Sequence, residues 1–406
     1  MRIGLYGWDA QVAAVVRAAS REALPLGPAC HLSEEQAASC GAGIARAESW
    51  EALIDDRSCD AVVVGAEGWD DARTEGLRHL VQAGRPLLIS QPLTLSMLLA
   101  YELDMIRSDV GGLLLPILPD RQHPLLGRLL EAVEGGLAGV GSLGRLESIS
   151  LVRRMPERSK EAVLSWLARD ADLVRLLIGD PQRLSTLAGV SSDAAYASLT
   201  VEFGGELQVP ARWQVARGAD PVAELTLTGE AGQIRVTIPD STLGPATWTW
   251  HDLEGTVEAA PFDGGLAMLA TLQRCLGETP PVAAAELASQ PPLPPPAAWA
   301  DAARAIELAE TVPRSLARGR AIDLHQEEFS ELGTFKGTMA SLGCGLVMAG
   351  LLVLVLATVI GGIAHEAGWA FGEQLTSVWP FVVLAVLTGF LALQVLPALI
   401  QGPAKK

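Results

Sequence analysis

Cysteine is scarce in this sequence, and its spacing carries no motif. The five cysteines stand apart at positions 30, 40, 59, 275 and 344, and none belongs to a CxxC pair. Zinc sites and disulfide frameworks both show themselves through characteristic cysteine spacings. The sequence therefore supports neither, and we expect no metal ligands.

Basic residues are outnumbered by acidic ones. The chain has 30 Lys and Arg against 47 Asp and Glu, which gives a formal net charge of −17. Acidic surfaces repel phosphate backbones, so nucleic acid is not an expected partner. A secretory signal pattern is also missing, because Met1-Arg2 leads directly into the strand-like sequence IGLYG.

Charged residues are missing from two long stretches near the C-terminus. Residues 342–363 and 378–400 are almost entirely apolar. About 20 apolar residues span a bilayer as a helix, and buried helices, the alternative, are usually shorter. We therefore predict a transmembrane hairpin over residues 341–400 that follows a juxtamembrane linker at 326–340, with the lipid bilayer as partner.

The charges around the hairpin predict its orientation. Basic residues flank it on both outer sides, at positions 314, 318, 320 and 336 before it and at 405 and 406 after it. The loop between the two apolar stretches carries only Glu366 and Glu373 as charged groups. Because basic residues accumulate on the cytoplasmic side, we expect a membrane protein with both termini in the cytoplasm.

Strand and helix signals alternate through residues 1–122. Apolar runs typical of strands occur at 2–7, 27–32, 60–65, 86–90 and 112–118, with helical segments between them. A continuous apolar run such as AVVV is typical of a strand that is buried on both faces of a parallel sheet. We predict an α/β domain with a doubly wound parallel sheet over residues 1–122.

The pattern changes after residue 122. Helices are predicted at 124–136 and 160–178, and strands follow one another at 143–153, 183–190, 195–203, 207–217, 223–229 and 233–238. Helical periodicity returns at 300–318. Consecutive strands with accompanying helices indicate an α+β domain with an antiparallel sheet over residues 123–325. The open face of such a sheet offers a surface for a homo-oligomer.

Five strings, in this order, resemble the Gfo/Idh/MocA oxidoreductases, which include glucose–fructose oxidoreductase and inositol dehydrogenase. They are DAVVVG at 60–65, AGRPLLISQPL at 83–93, RDADLVRLLIG at 169–179, LTLTGEAG at 225–232, and AIEL with the following RSL and GR within 305–320. The resemblance implies a Rossmann-like NAD(P)-binding domain before the α+β domain. It also implies oxidation or reduction of a sugar or cyclitol.

Three of the four positions that the resemblance assigns to the cofactor depart from the family pattern. The glycines of the family's GxGxxG turn let the backbone approach a pyrophosphate. Here the turn reads GWDAQV, so Gly7 is kept and Asp9 replaces the middle glycine. His31 stands at the place of the ribose-binding acid, and Ala66 begins the turn that is TPN in the family. Asp9 is better interpreted as a helix N-cap. We expect no cofactor, or NAD(P) if the protein is a divergent enzyme.

The catalytic positions implied by the resemblance have changed as well. The lysine of the family's EKP motif is Gln91, the general-base histidine is Arg169, and the acid one helical turn earlier is Ser165. Glutamine does not titrate, and arginine cannot accept a proton near neutral pH. These three residues therefore cannot supply general acid–base catalysis in the family's way.

Other polar residues are candidates for a relocated acid or base, or for a ligand contact. Asp170 follows Arg169 on the predicted helix, and Arg121 and His123 follow the last parallel strand. Arg121 and His123, together with Gln91 and Arg169, could hold a small polyol or an anion.

Structural interpretations compete with these roles. Asp172 and Arg175 have the i,i+3 spacing of a surface ion pair on a helix. His123 directly precedes Pro124, a position typical of the start of a helix.

Three functions follow from the sequence. The leading one is a membrane-anchored homologue without catalysis, which acts as a ligand-binding or scaffolding module on the cytoplasmic face. The second is a divergent, active NAD(P)-dependent oxidoreductase of a sugar or cyclitol. The third is a structural subunit of a membrane complex that uses the hairpin as its interface. Binding of NAD(P) would separate the second function from the other two.

Overall fold

Five short apolar runs form a parallel sheet at the start of the chain. The computed structural model describes residues 1–324 apart from 42–43, 56, 190–194, 206, 208 and 278–293, together with residue 359. The strands are β1 (Ile3–Tyr6), β2 (Leu26–Cys30), β3 (Ala61–Val64), β4 (Leu87–Ser90) and β5 (Leu114–Ile117). They pair in the order β2-β1-β3-β4-β5, and every pair is parallel. The predicted parallel sheet is therefore confirmed.

Helices cover both faces of this first sheet. They are α1 (Ala10–Arg21), α2 (Glu34–Ser39), α3 (Asp71–Gln82) and α4 (Met97–Val110), and a 3₁₀ turn at Pro119–Gln122 follows β5. Apolar residues of α1 pack against one face, and those of α3 and α4 pack against the other. Burial of both faces explains why the strands read as continuous apolar runs.

A second sheet of nine strands follows. It contains β6 (Leu146–Met155), β7 (Arg183–Ala188), β8 (Leu199–Gly204), β9 (Ala211–Arg217), β10 (Val222–Gly229), β11 (Gly232–Pro239), β12 (Thr249–Asp252), β13 (Gly255–Glu258) and β14 (Ile322–Asp323). Their order is β13-β12-β11-β10-β6-β9-β8-β7-β14. The sheet is antiparallel as predicted, except that β6 and β9 pair in parallel.

The remaining helices are α5 (Leu125–Leu137), α6 (Lys160–Ile178), α7 (Gly264–Cys275) and α8 (Trp299–Arg318). The helix predicted at 300–318 is α8. It contributes Trp299 and Ile306 to the core of the first sheet, and Leu308 and Val312 to the core of the second. This helix therefore fixes one sheet against the other.

Helix α7 packs on α1 beside the first sheet and is not among the helices predicted above. Its Gly265 lies so close to the Ala14 carbonyl that a Cβ would overlap it. Glycine at this contact permits close packing, but it also weakens the helical signal of the sequence.

Both sheets belong to one compact unit, Met1–Leu324. The boundary predicted between residues 122 and 123 falls between the sheets and stays a prediction. Among the residues that the structure describes, no helix is both long and apolar enough to cross a bilayer. The predicted linker at 326–340 and the hairpin at 341–400 lie outside the described residues, apart from residue 359.

Candidate functional site

The strand order places a crevice between β1 and β3. From this pair the chain builds outward in both directions, with β2 on one side and β4 and β5 on the other. Ligands of open α/β sheets bind outside the carboxyl ends of the strands at such a switch point. The loops that follow β1 and β3 are therefore the expected cofactor contacts.

The Asp9 carboxylate lies between these two loops. One oxygen accepts a hydrogen bond from the Val12 backbone N–H at 2.9 Å, which is the predicted N-cap of α1. The other oxygen accepts from the Ala66 N–H at 2.7 Å. Asp9 thus caps its own helix and also binds the loop after β3.

The loops after β1 and β3 also contact each other through their backbones. The Glu67 N–H donates to the Trp8 carbonyl at 3.0 Å. A Cβ on Gly65 would lie 2.5 Å from the Trp8 nitrogen, and Gly7 has a φ of +80° with the Gly65 carbonyl 2.9 Å from where its Cβ would be. Both glycines are therefore required because the two loops touch each other.

Arg73 closes the end of the crevice beside β2. Its guanidinium donates to the Glu67 carbonyl and, at 3.3 Å, to the His31 carbonyl. His31 has a left-handed backbone with a φ of 57°, and its ring meets Tyr6 edge-on at 5.1 Å. An imidazole here lacks the two oxygens with which a carboxylate accepts from ribose hydroxyls.

A dinucleotide in the position that the fold provides would have to displace the Asp9 contacts. Asp9 puts a carboxylate where a pyrophosphate would approach the start of α1, and Ala66 already donates its N–H to that carboxylate.

Gln91 is fully buried and holds helices in place. Its backbone N–H donates to the Gln11 side-chain oxygen at 3.0 Å, and its carbonyl accepts from the Gln11 amide nitrogen at 2.7 Å. Its own side-chain nitrogen donates to the Ala302 carbonyl at 3.2 Å. Gln91, at the position of the family's lysine, therefore connects α1 and α8 to the end of β4.

The Arg169 side chain also binds other residues of the protein. Its guanidinium lies 3.5 Å from the Asp240 carboxylate and 4.2 Å from the centroid of a Trp166 ring. Ser165 lies one turn earlier on α6 and is half-buried. This pair offers a cation and a hydroxyl, and neither acts as a base near neutral pH.

Asp170 is part of a buried hydrogen-bonded ion pair. Both of its oxygens accept from the Arg153 guanidinium, and one also accepts from the Trp213 indole N–H at 2.8 Å. Each of these residues is buried. Asp170, the candidate acid, therefore holds α6 against strands β6 and β9 of the second sheet.

The interpretation of Asp172 and Arg175 as an ion pair on the helix surface is wrong. Asp172 is buried and binds the Arg121 guanidinium through both oxygens, at 2.7 and 2.5 Å. Arg175 binds Asp180 at 2.6 Å instead, and Asp301 neutralises both arginines at 3.2 and 3.4 Å. Arg121 comes from the first sheet, so α6 turns Asp172 inward to meet it.

His123 starts α5 and stays neutral. Its Nδ1 accepts from the Leu125 N–H at 3.1 Å, and its ring stacks on Trp248 at 3.8 Å with Phe262 at its edge. Burial lowers the pKa of His123 to about 3. These contacts agree with the interpretation of His123 as a residue at the start of a helix, and its role in acid–base chemistry stays a prediction.

Asp120 is the titratable group that sequence reasoning missed. It lies between Pro119 and Arg121 in the 3₁₀ turn after β5 and is half-buried. Burial raises the pKa of Asp120 to about 6, opposed by Arg169 and Arg153 and reinforced by Asp170 and Asp240. Its partners come from distant parts of the chain, so nothing in the local sequence marks it.

The cavity beside Asp120 is small. Its volume is about 10 Å³, which is room for about one water molecule. Among the described residues, no group of three or more His, Cys, Asp or Glu is arranged to hold a metal ion. The cavity is lined by Leu118, Pro119, Asp120, Arg121, Arg169, Asp172, Leu173 and Leu176.

Comparison with known proteins shows similarity in structure but not in sequence. No protein-family model and no curated protein sequence matches the chain. A putative myo-inositol dehydrogenase from Sinorhizobium meliloti superposes with a TM-score of 0.58 at 19% identity, covering 80% of this chain and 100% of that one. UDP-N-acetylglucosamine 3-dehydrogenase from Acidithiobacillus ferrooxidans gives 0.56 at 20% identity, covering 78% and 97%.

A third similar structure carries a cofactor. An oxidoreductase from Agrobacterium radiobacter, solved with NAD+, L-tartaric acid and magnesium, has a TM-score of 0.56 at 15% identity and covers 80% of this chain and 98% of its own. Identities this low establish the fold and leave the activity open. The predicted resemblance is confirmed at that level: the chain has the two-part fold of the Gfo/Idh/MocA-type dehydrogenases.

Proposed function

We propose that this protein is a non-catalytic relative of the Gfo/Idh/MocA-type dehydrogenases that serves as a scaffolding module. The observation that carries the proposal is the loss of a titrating group at each position the family uses for proton transfer. Gln91, Ser165 and Arg169 stand there, and Gln91 and Arg169 are bound to other parts of the protein. General acid–base catalysis contributes about 10²- to 10⁴-fold to a rate.

The small cavity argues against a ligand that is bound at the positions the family uses for catalysis. A site for a small molecule usually encloses about 300–1,000 Å³, whereas the cavity between α6 and the turn after β5 is about 10 Å³. The cations Arg121 and Arg169 are paired with carboxylates. A polyol or anion would have to displace these pairs.

Attachment to a membrane belongs to the same proposal. The apolar stretches within 341–400 would anchor the protein with both termini in the cytoplasm, for the reasons of length and flanking charge given above. A scaffold at that surface would bind a partner protein through the part of the chain that precedes the anchor.

Enzyme assays on the full-length chain test the absence of catalysis. Each of NAD+, NADP+, NADH and NADPH is supplied with sugars and cyclitols in oxidised or reduced form, and nicotinamide absorbance is followed. We expect no turnover above the rate without protein. Turnover that depends on both substrate and cofactor would overturn the proposal.

A divergent, active oxidoreductase is the second candidate, and the comparisons favour it. The similar structures described above are dehydrogenases or oxidoreductases, and one was solved with NAD+. The Asp120 carboxyl, with a pKa raised by burial to about 6, suits a general acid or base near neutral pH. In this case the cofactor would have to displace the Asp9 carboxylate.

The variant Asp120→Asn separates the two candidates. If the protein is an enzyme that uses Asp120, substrate-dependent turnover is present in the wild type and falls by about 10²-fold or more in the variant. If it is a scaffold, both proteins are inactive under the same conditions.

A further inference from the structure

We propose that the Asp9 carboxylate is a built-in anion that occupies the switch-point crevice in place of a ligand phosphate and holds its two loops together. This inference rests on the proposed function, because it names what fills the crevice of a protein without a dinucleotide.

The geometry of Asp9 differs from that of an ordinary N-cap. Asp70 caps α3 through a single backbone contact, the Arg73 N–H at 2.8 Å on its own helix. Asp9 uses one oxygen in the same way toward Val12, but its second oxygen binds Ala66, which is 57 positions away in the sequence. Bridging two segments through two oxygens is what a bound phosphate does at such a site.

The surroundings favour negative charge at this point. The carboxylate lies at the N-terminus of α1, where the helix dipole stabilises anions. The Arg73 guanidinium lies close to the loop after β1, 3.4 Å from where a Cβ on Gly7 would be. Without Asp9, the Val12 and Ala66 N–H groups would lose their shared acceptor.

Removal of the carboxylate should therefore create a site for a free anion. In Asp9→Ala the two N–H groups and the helix terminus stay close together, and inorganic pyrophosphate can supply the missing oxygens. Binding to the folded state raises the unfolding temperature with the logarithm of ligand concentration. The wild-type protein should not respond, because its own carboxylate already fills the position.

The experiment compares full-length wild type, Asp9→Ala, Asp9→Asn and the control Asp70→Ala. Thermal unfolding is followed with and without inorganic pyrophosphate, and sodium chloride matches the ionic strength. We expect Asp9→Ala to unfold a few degrees below wild type and to recover part of that loss in pyrophosphate. Asp70→Ala should lose stability without recovery.

Asp9→Asn keeps the proposal open to refutation if the alanine variant fails to fold. Asparagine is as good an N-cap as aspartate, but it cannot offer two oxygens. It should therefore remain folded, unfold below wild type, and gain from pyrophosphate less than the alanine variant. Asp9→Asn at wild-type stability would refute the bridge to Ala66.

Two further results would overturn the inference. One is no recovery of Asp9→Ala in pyrophosphate, which would show that the N–H groups bound by Asp9 do not form an anion site. The other is stabilisation of wild type by pyrophosphate as large as that of the variant. Because these readouts involve no turnover, an active enzyme that shows anion recovery only in Asp9→Ala would refute the proposed function and leave this inference standing.

Discussion

Replacement of Asp120 by asparagine should stabilise the protein at neutral and alkaline pH. Burial raises the pKa of Asp120 to about 6, from an ordinary value of 3.8. A raised pKa means that the folded protein disfavours the ionised carboxylate relative to the unfolded chain. The cost of ionisation is therefore absent below pH 4, grows between pH 4 and 6, and is fully present above pH 6.

The size of this effect follows from the difference between the two pKa values. About 1.4 kcal/mol for each pH unit gives about 3 kcal/mol. Because Asp120 is only half-buried, water screens part of this cost, and we expect about 1–2 kcal/mol. Asp120→Asn should therefore unfold at a higher urea concentration than wild type at pH 8, and the difference should disappear toward pH 4.

A local ion pair supplies the control. Asp104 pairs with Arg107 on the same helix at 2.8 Å, and both side chains are about one-third exposed, so water screens the pair and it should contribute less than about 1 kcal/mol. Asp104→Asn should change stability little at any pH between 4 and 8. If Asp120→Asn is instead less stable than wild type at pH 8, the ionised carboxylate is held favourably by Arg169, and the reasoning is refuted.

Three other predictions concern packing and topology. Asp172→Asn removes the carboxylate that binds Arg121 through two oxygens and leaves Asp301, at 3.2 Å, as its charged partner, so it should cost about 1.5–3 kcal/mol in urea unfolding; a stability near wild type would show that Asp301 and water replace the lost contacts. Gly65→Ala should lower the unfolding temperature by several degrees, because its Cβ would lie 2.5 Å from a backbone nitrogen of the loop after β1, and an unchanged temperature would mean that the loops can separate freely. A cysteine in place of Gly372 should react with a membrane-impermeant reagent in intact cells while one in place of Ala404 should not, and the reverse labelling would contradict the orientation inferred from the flanking charges.

The fold could be predicted because its signals are local. The AVVV run of β3 and the alternation along β10 each indicate strands on their own. The parallel pairing of β6 with β9 could not be predicted, because it depends on how the chain crosses the sheet through α6. Helix α7 could not be predicted, because it begins with the glycines that let it approach α1. Glycine lowers helical propensity, so this segment has the sequence pattern of a loop.

The candidate site was predictable only as a set of departures from the family. The sequence placed Asp9 at a helix start, but its contact with Ala66 joins positions far apart in the chain. The pairing of Asp172 with Arg121 and the raised pKa of Asp120 depend in the same way on tertiary contacts. Such contacts have no signature in the spacing of nearby residues.

Titration of the full-length chain with nicotinamide dinucleotides tests the central claim most directly. A cofactor phosphate about 4 Å from the Asp9 carboxylate would be repelled by roughly 4 kcal/mol at an effective dielectric constant near 20, which is about three powers of ten in affinity. Isothermal titration calorimetry with NAD+, NADH, NADP+ and NADPH should therefore give no binding in the micromolar range for any form. Micromolar binding of one of them would contradict the account and establish the oxidoreductase alternative as the better one.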